Sequence, residues 1–186
     1  MRKKADRLII LATSDIHGNI TGYNFYDNDT EPNGMARLHS YVKQLRAKEK
    51  AVLLIDGGDM ISGSVLLNDI CPRHMDQTHP VMEAMNLIGY DAAVVGNHDF
   101  DMGTDYFKKV FAQARFPVLA ANVRRADGEL FTGKSCTVIE RCGIRVAVVG
   151  VVMPFVPLTA RNAQGVSDLR FFPGAEAVEE AIEAGA

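Results

Sequence analysis

The sequence predicts an α/β fold built on a mixed, mostly parallel sheet, and three observations carry that prediction. Short continuous apolar runs alternate with helical stripes, as in sheets whose strands are buried on both faces. Each of the first three runs breaks off into a cluster of polar, titratable residues. After Asp127-Gly128 the period changes to that of a hairpin.

The elements follow in order. Leu8 to Thr13 is a continuous apolar strand; Met35, Leu38, Val42 and Leu45 then recur at helical spacing. Ala51 to Ile55 is a second strand. Val81, Met85 and Ile88 mark a helix with Pro80 in its first turn and Gly89 at its end. Ala92 to Val95 is a third strand, followed by a helix over Phe107, Val110, Phe111 and Ala114 with Thr104 as its cap. Val118 to Ala121 is a short fourth strand. Thr137 to Glu140 and Ile144 to Gly150 flank Arg141-Cys142-Gly143 as a hairpin leading into a long buried strand. A last helix carries Ala175, Val178 and Ile182 on one side and Glu176, Glu179, Glu180 and Glu183 on the other.

Composition narrows the function. The 186 residues fit one domain, and 47% apolar and 23% charged residues with a net charge of −3 describe a globular chain. No polybasic face suits a long nucleic acid. Cys71, Cys136 and Cys142 form an odd, sparse set that reads as free thiols in a reducing compartment. The apolar run at Leu8 is too short for a signal peptide, and Val146 to Met153 is too short to span a bilayer. These features predict a cytoplasmic protein without a membrane segment, with export the alternative if a signal had been removed.

In a parallel sheet, ligands bind beyond the carboxyl ends of the strands. Those ends carry Asp15-Ile16-His17, Asp56-Gly57-Gly58-Asp59 and Gly96-Asn97-His98-Asp99. If the backbone stays extended, Asp15 and His17 face one point while Ile16 packs inward. Carboxylates, an imidazole and an amide oxygen form a mixed oxygen and nitrogen set suited to manganese, zinc, iron or cobalt. Two cations bridged by Asp59 would have the spacing used by two-metal phosphatases.

The stretches SDIHGN, DGGDMISGS and GNHDFDMG, in this order, resemble the calcineurin-like metallophosphoesterases, in the 5′-nucleotidase and 2′,3′-cyclic-nucleotide 2′-phosphodiesterase branch. The likeness extends through NGMARLHSYVKQLR, AANV and VAVVGVVMP. It implies that Asp15, His17 and Asp59 hold one metal while Asp59 and Asn97 hold the other. It also implies that His98 with Asp101 is the catalytic pair, with His98 stabilising the phosphoryl transition state or protonating the leaving oxygen and Asp101 orienting the ring. The implied fold is the first half of a four-layer α-β-β-α sandwich. The implied activity is two-metal hydrolysis of a nucleotide or other small phosphoester by metal-activated water.

The family's later histidines and its C-terminal substrate domain have no counterpart before Ala186. The expectation is therefore a truncated metallophosphoesterase domain over residues 1–186, with an incomplete site that binds metal weakly. The rival readings are a non-catalytic module that binds metal or phosphate, and a different phosphodiester hydrolase such as a nuclease. Asp27, Asp29 and Glu31 imitate a calcium loop but lack the Gly and distal Glu of one, so a solvated insertion is expected. Cys71, His74 and His79 suggest zinc loosely, with no fourth ligand, and are expected to form an excursion near the site mouth.

Overall fold

A computed structural model describes residues 7–24, 27–159, 161 and 163–185. In chain order it contains β1 (Ile9–Thr13), β2 (Tyr23–Asn24), β3 (Asp29–Thr30), α1 (Met35–Lys48) and β4 (Val52–Asp56). A π-helical turn, Leu66–Ile70, runs into α2 (Cys71–Arg73), then α3 (Pro80–Ile88) and β5 (Ala92–Val94). After a 3₁₀ turn at His98–Phe100 come α4 (Thr104–Phe111), β6 (Val118–Leu119), β7 (Val123–Arg125), β8 (Cys136–Arg141) and β9 (Ile144–Val149). The chain closes with α5 (Val156–Thr159), a 3₁₀ turn at Ala163–Val166, β10 (Leu169–Phe171) and α6 (Gly174–Glu183).

The main sheet is parallel throughout, in the order β1-β4-β5-β6. Thr13 lies opposite Asp56, and Asp56 opposite Ala93, so the carboxyl ends of β1, β4 and β5 come level. β4 is buried at Val52, Leu53 and Leu54, as an apolar run in a central strand must be. β1 behaves differently from the continuous burial expected of it: it alternates, with Ile10 half exposed, because it pairs on one side only among the described residues. α1 buries Met35 and Val42 and packs on α3, whose end is the left-handed Gly89.

The hairpin forms where expected, with full antiparallel register from Cys136↔Val149 to Arg141↔Ile144. Its two-residue turn has positive φ at both Cys142 and Gly143, the twist a tight hairpin needs. It stands as a separate two-stranded sheet, and β9 alternates in burial where a fully buried strand was expected. Asp91 ties it to the rest: one oxygen pairs with Arg141, and the other accepts Leu54 N–H at 2.8 Å and pairs with Arg46 at 3.2 Å. Arg46 also donates to the carbonyls of Ile88 and Gly89, closing the end of α3.

Two smaller expectations need correcting. Thr104 is the first residue of α4 and caps nothing; Gly103 precedes it with φ of 82°. α6 buries Ala177 and Ala181, while Ile182 is exposed, so the helix docks through its small residues, which permit close approach, and turns its larger stripe outward.

Three loops leave the carboxyl edge of the sheet, and they are fastened to one another from beneath. Asp99 is fully buried and accepts four backbone N–H groups: Met60 and Ile61 on one oxygen, Asp59 and Gly96 on the other. Burial pushes its carboxyl up to about 6 and the N–H donors pull against that rise; four accepted bonds and none donated are the hydrogen-bonding pattern of a carboxylate. Next along, Phe100 is wholly buried in an aromatic cluster, with ring centres 5.3 to 5.7 Å from Phe107, Phe131 and Phe171. The turn that carries His98 and Asp101 therefore rests on a rigid floor. Asn122 does the same service further along the chain, bonding both the N–H and the carbonyl of Val152 and the carbonyl of Phe172.

His79 is one of two exceptions to this satisfied interior among the described residues, the other being the Tyr106 hydroxyl. His79 is buried before α3, and neither ring nitrogen has a hydrogen-bond partner among the described residues. Burial holds its imidazole down at about 4.

Two outcomes follow. Asp99→Asn replaces an acceptor of four bonds by an amide whose NH2 must face two N–H donors. Urea unfolding should show a loss on the order of 3 kcal/mol, and a change within about 0.5 kcal/mol would remove Asp99 from this role. His79→Leu should raise the urea midpoint at pH 7, since it removes unpaired buried nitrogens. The wild-type chain should also lose up to about 3 kcal/mol as pH falls from 6.5 to 4, because only the unfolded imidazole takes up a proton there. The leucine variant should lack that component; parallel pH profiles for the two proteins would contradict the assignment.

Candidate metal centre

Backbone hydrogen bonds zip the first two loops together: Asp15 N–H donates to Gly58 O at 2.9 Å, His17 N–H to Asp59 O at 3.1 Å, and Gly57 N–H to Thr13 O at 2.7 Å. Asp15, His17 and Asp59 are thereby gathered so that one ligand atom from each lies within 4.8 Å of the others. Three of the four residues expected to converge are thus brought together, but the local geometry differs. Asp15 and His17 are not extended; their φ values are 54° and 45°, and that of Asp59 is 61°. Left-handed backbone at three non-glycine residues stores strain that the surrounding bonds must hold.

The imidazole of His17 is oriented as a ligand would be. Its Nδ1–H donates to the carbonyl of Ser62 at 2.7 Å, which leaves the Nε2 lone pair turned toward Asp15, 3.8 Å from Oδ1. Neighbouring glycines make room for this. A Cβ on Gly63 would sit 2.3 Å from His17 Nδ1, and one on Gly96 would sit 2.2 Å from Asp59 Oδ1. Two carboxylates and a neutral imidazole nitrogen are a donor set that fits a borderline divalent cation.

The third loop joins at His98. Its backbone N–H donates to Asp59 Oδ1 at 2.8 Å, and its ring lies edge-on to His17 with centres 5.8 Å apart. His98 Nδ1 is 3.0 Å from Asp101 Oδ2. Asp101 is nearly inaccessible, whereas His98 is 40% exposed, so the ring faces the mouth with its orienting carboxylate behind it. Asn97 opens the same turn, half-buried, with its carbonyl accepting Phe100 N–H at 3.4 Å.

Below the cluster, Asp56 accepts Thr13 Oγ1 at 2.5 Å and Gly58 N–H at 2.8 Å, and the Thr13 hydroxyl meets Tyr90 OH at 2.9 Å. Burial pushes the Asp56 carboxyl up to about 7. Asp56 thus shapes the loop rather than facing the cluster. Cys71, His74 and His79 do not converge on one point, so the loose zinc reading of that segment does not hold among the described residues. Of the calcium-like stretch, Asp29 lies in β3 and Asp27 and Glu31 both accept from Asn24 Nδ2, an exposed polar ribbon.

The sequence reading missed three residues of this site. Asp99 stood inside a quoted motif without a role, although an acid directly after His98 and facing inward was a visible signal. Ser62 serves twice, its carbonyl fixing His17 and its hydroxyl bonding Asp101 at 3.2 Å. Arg161 reaches Asp101 from far along the chain, its backbone N–H donating to Oδ1 at 3.1 Å; nothing local marked it.

Comparison with known proteins agrees with this geometry. Residues 8–137 match the model of the calcineurin-like phosphoesterase family. The trifunctional nucleotide phosphoesterase protein YfkN of Bacillus subtilis is 34% identical over 162 residues, 79% of this chain and 11% of that protein. A 2′,3′-cyclic-nucleotide 2′-phosphodiesterase/3′-nucleotidase of Yersinia enterocolitica is 38% identical over 119 residues, 62% of this chain and 18% of that protein. The chain thus spans less than a fifth of the length of either curated relative. Among solved structures, the calcineurin-like phosphoesterase YfkN from Bacillus subtilis superposes with a TM-score of 0.84 at 27% identity, covering 95% of this chain and 57% of that one. With the match running from the first strand through all three loops of the cluster, the chain belongs to the calcineurin-like phosphoesterase family.

Proposed function

We propose that the protein is a phosphoester hydrolase acting on nucleotides through two divalent cations, drawn from manganese, zinc, iron or cobalt. The observation that carries this reading is the convergence of Asp15, His17 and Asp59 beside the oriented pair His98–Asp101. Asp15, His17 and Asp59 would hold one cation, and Asp59 with Asn97 the other. Bound cations would supply charge neutralisation for the phosphoryl group and acidify an attacking water.

The chain's own residues have distinct tasks. Asp59 would serve both positions, and the His98 N–H on its Oδ1 restrains the orientation of the carboxylate. His17 is locked in one tautomer by Ser62. His98 presents its free Nε2 to the mouth, where it can stabilise phosphoryl oxygens or protonate the leaving oxygen, while Asp101 keeps the ring from turning. An open groove of about 660 Å³ beside His17, lined in part by Asn19, Ile20, Tyr23 and Val65, has room for the organic part of a small phosphoester. Nucleotide-acting relatives point to that substrate class. Four side chains shared between two cations leave coordination positions open. We infer that residues 1–186 are the N-terminal part of a metallophosphoesterase domain whose other groups complete them.

Manganese titration by calorimetry tests the cluster: Asp59→Asn should weaken binding by roughly 100-fold or more. His98→Ala should retain manganese affinity, because its contact with Asp59 is through the backbone, yet lower kcat on bis-p-nitrophenyl phosphate by roughly 10² to 10⁴-fold. Manganese binding without any hydrolysis would favour a non-catalytic module, and hydrolysis indifferent to His98 would remove that residue from its role.

A further inference from the structure

We propose that Arg161 forms an anion subsite beside His98, holding a negatively charged group on the leaving side of a bound phosphoester. The site would then favour esters whose leaving group is itself a phosphate, such as nucleoside diphosphates, over those that release a neutral alcohol. This inference rests on the phosphoesterase reading above and names the substrate preference of that same site.

The geometry starts from Asp101, whose side chain is 1% exposed. Its Oδ1 accepts the Arg161 backbone N–H at 3.1 Å, and its Oδ2 meets His98 Nδ1 at 3.0 Å and Ser62 Oγ at 3.2 Å. Both oxygens are therefore satisfied without the guanidinium. Arg161 Nε is 3.7 Å from Oδ2, which is ion-pair range and too long for a hydrogen bond. The guanidinium is held near the pair by charge, its N–H donors are not committed to Asp101, and its side chain is 67% exposed. A fixed fork of donors at the mouth is the shape that binds phosphate oxygens two at a time.

The electrostatic setting makes such a group necessary for an anionic leaving group. The site presents the carboxylates of Asp15, Asp59 and Asp101, and Arg161 is the one arginine or lysine paired with any of them among the described residues. Cations at the cluster would neutralise the transferred phosphoryl group, but a second phosphate placed toward His98 would need its own countercharge. In the hydrolysis, water's oxygen bonds to the terminal phosphorus and the bridging P–O bond breaks. The electron pair leaves with the departing phosphate, and water's proton is released. A leaving phosphate carries that charge without being protonated, whereas an alkoxide must take a proton, the task proposed for His98. Arg161 and His98 thus serve two kinds of leaving group.

The test compares release of phosphate from ADP and from AMP by the full-length protein with saturating manganese, in wild type, Arg161→Gln and Arg161→Lys. The glutamine variant should lose at least tenfold more in kcat/KM on ADP than on AMP, chiefly through KM, and the lysine variant should recover part of the loss. Equal losses on both substrates would show that Arg161 only anchors its loop to Asp101, and an ADP rate unaffected by the glutamine variant would also overturn the subsite. A wild-type protein that hydrolyses neither nucleotide would overturn the phosphoesterase reading itself, and this inference with it.

Discussion

Everything at the carboxyl edge of the sheet depends on a single buried carboxylate. Asp99 gathers N–H groups from the loop after β4 and from the loop after β5, and so sets the distance between Asp59 and His98. Burying an ion is costly, and four donors are what make this one tolerable. A carboxylate satisfied that completely has no freedom to move without leaving several N–H groups unpaired, so it acts as a spacer as well as a bond. The 2.8 Å contact between His98 N–H and Asp59 Oδ1 is the visible product of that spacing.

Strain and support are distributed in a consistent way. The three residues of the cluster, Asp15, His17 and Asp59, all sit in left-handed backbone. Side chains rarely accept that conformation unless the surroundings over-determine it. Here they do: the Gly58 carbonyl accepts the Asp15 N–H, the Asp59 and Ser62 carbonyls accept the backbone N–H and the ring N–H of His17, and Asp99 accepts the N–H of Asp59. Gly58 and Gly96 approach so closely that a Cβ on the first would lie 2.3 Å from the nitrogen of the second. The loops are thus pressed together as tightly as backbone allows, and the acidic groups end up nearer to one another than they would be in water. A cation is the natural relief for that arrangement.

Beneath the loops, the support is apolar and far-reaching. Phe100 lies between the turn bearing His98 and rings from α4, from the loop before β8, and from β10. Asn122 fastens the segment after β9, which leads on to Arg161, against the segment after β10. A rearrangement in the later part of the chain would therefore be felt at Asp101 through both contacts.

The sequence by itself marked the main strands and helices and the donor types at the strand ends, but not the short pairs β2–β3 and β7–β10. Apolar continuity marked β4, and helical spacing marked α1, α3 and α4. The run of Asp, His, Asp and Asn at three strand ends offered oxygen and nitrogen donors, because these signals are local and each residue carries its own. Tertiary structure decided how those residues meet. Alternation along an extended strand suggested that Asp15 and His17 would face one point; they do so through left-handed φ values that only their bonds to the neighbouring loop can enforce. The burial of β1 and β9, and the face by which α6 docks, depend on which neighbours each element finds, and periodicity is silent about neighbours. Arg161 lies sixty residues from the carboxylate it approaches. No pattern in the chain connects the two, because that contact exists only once the loop after β9 has folded back across the site.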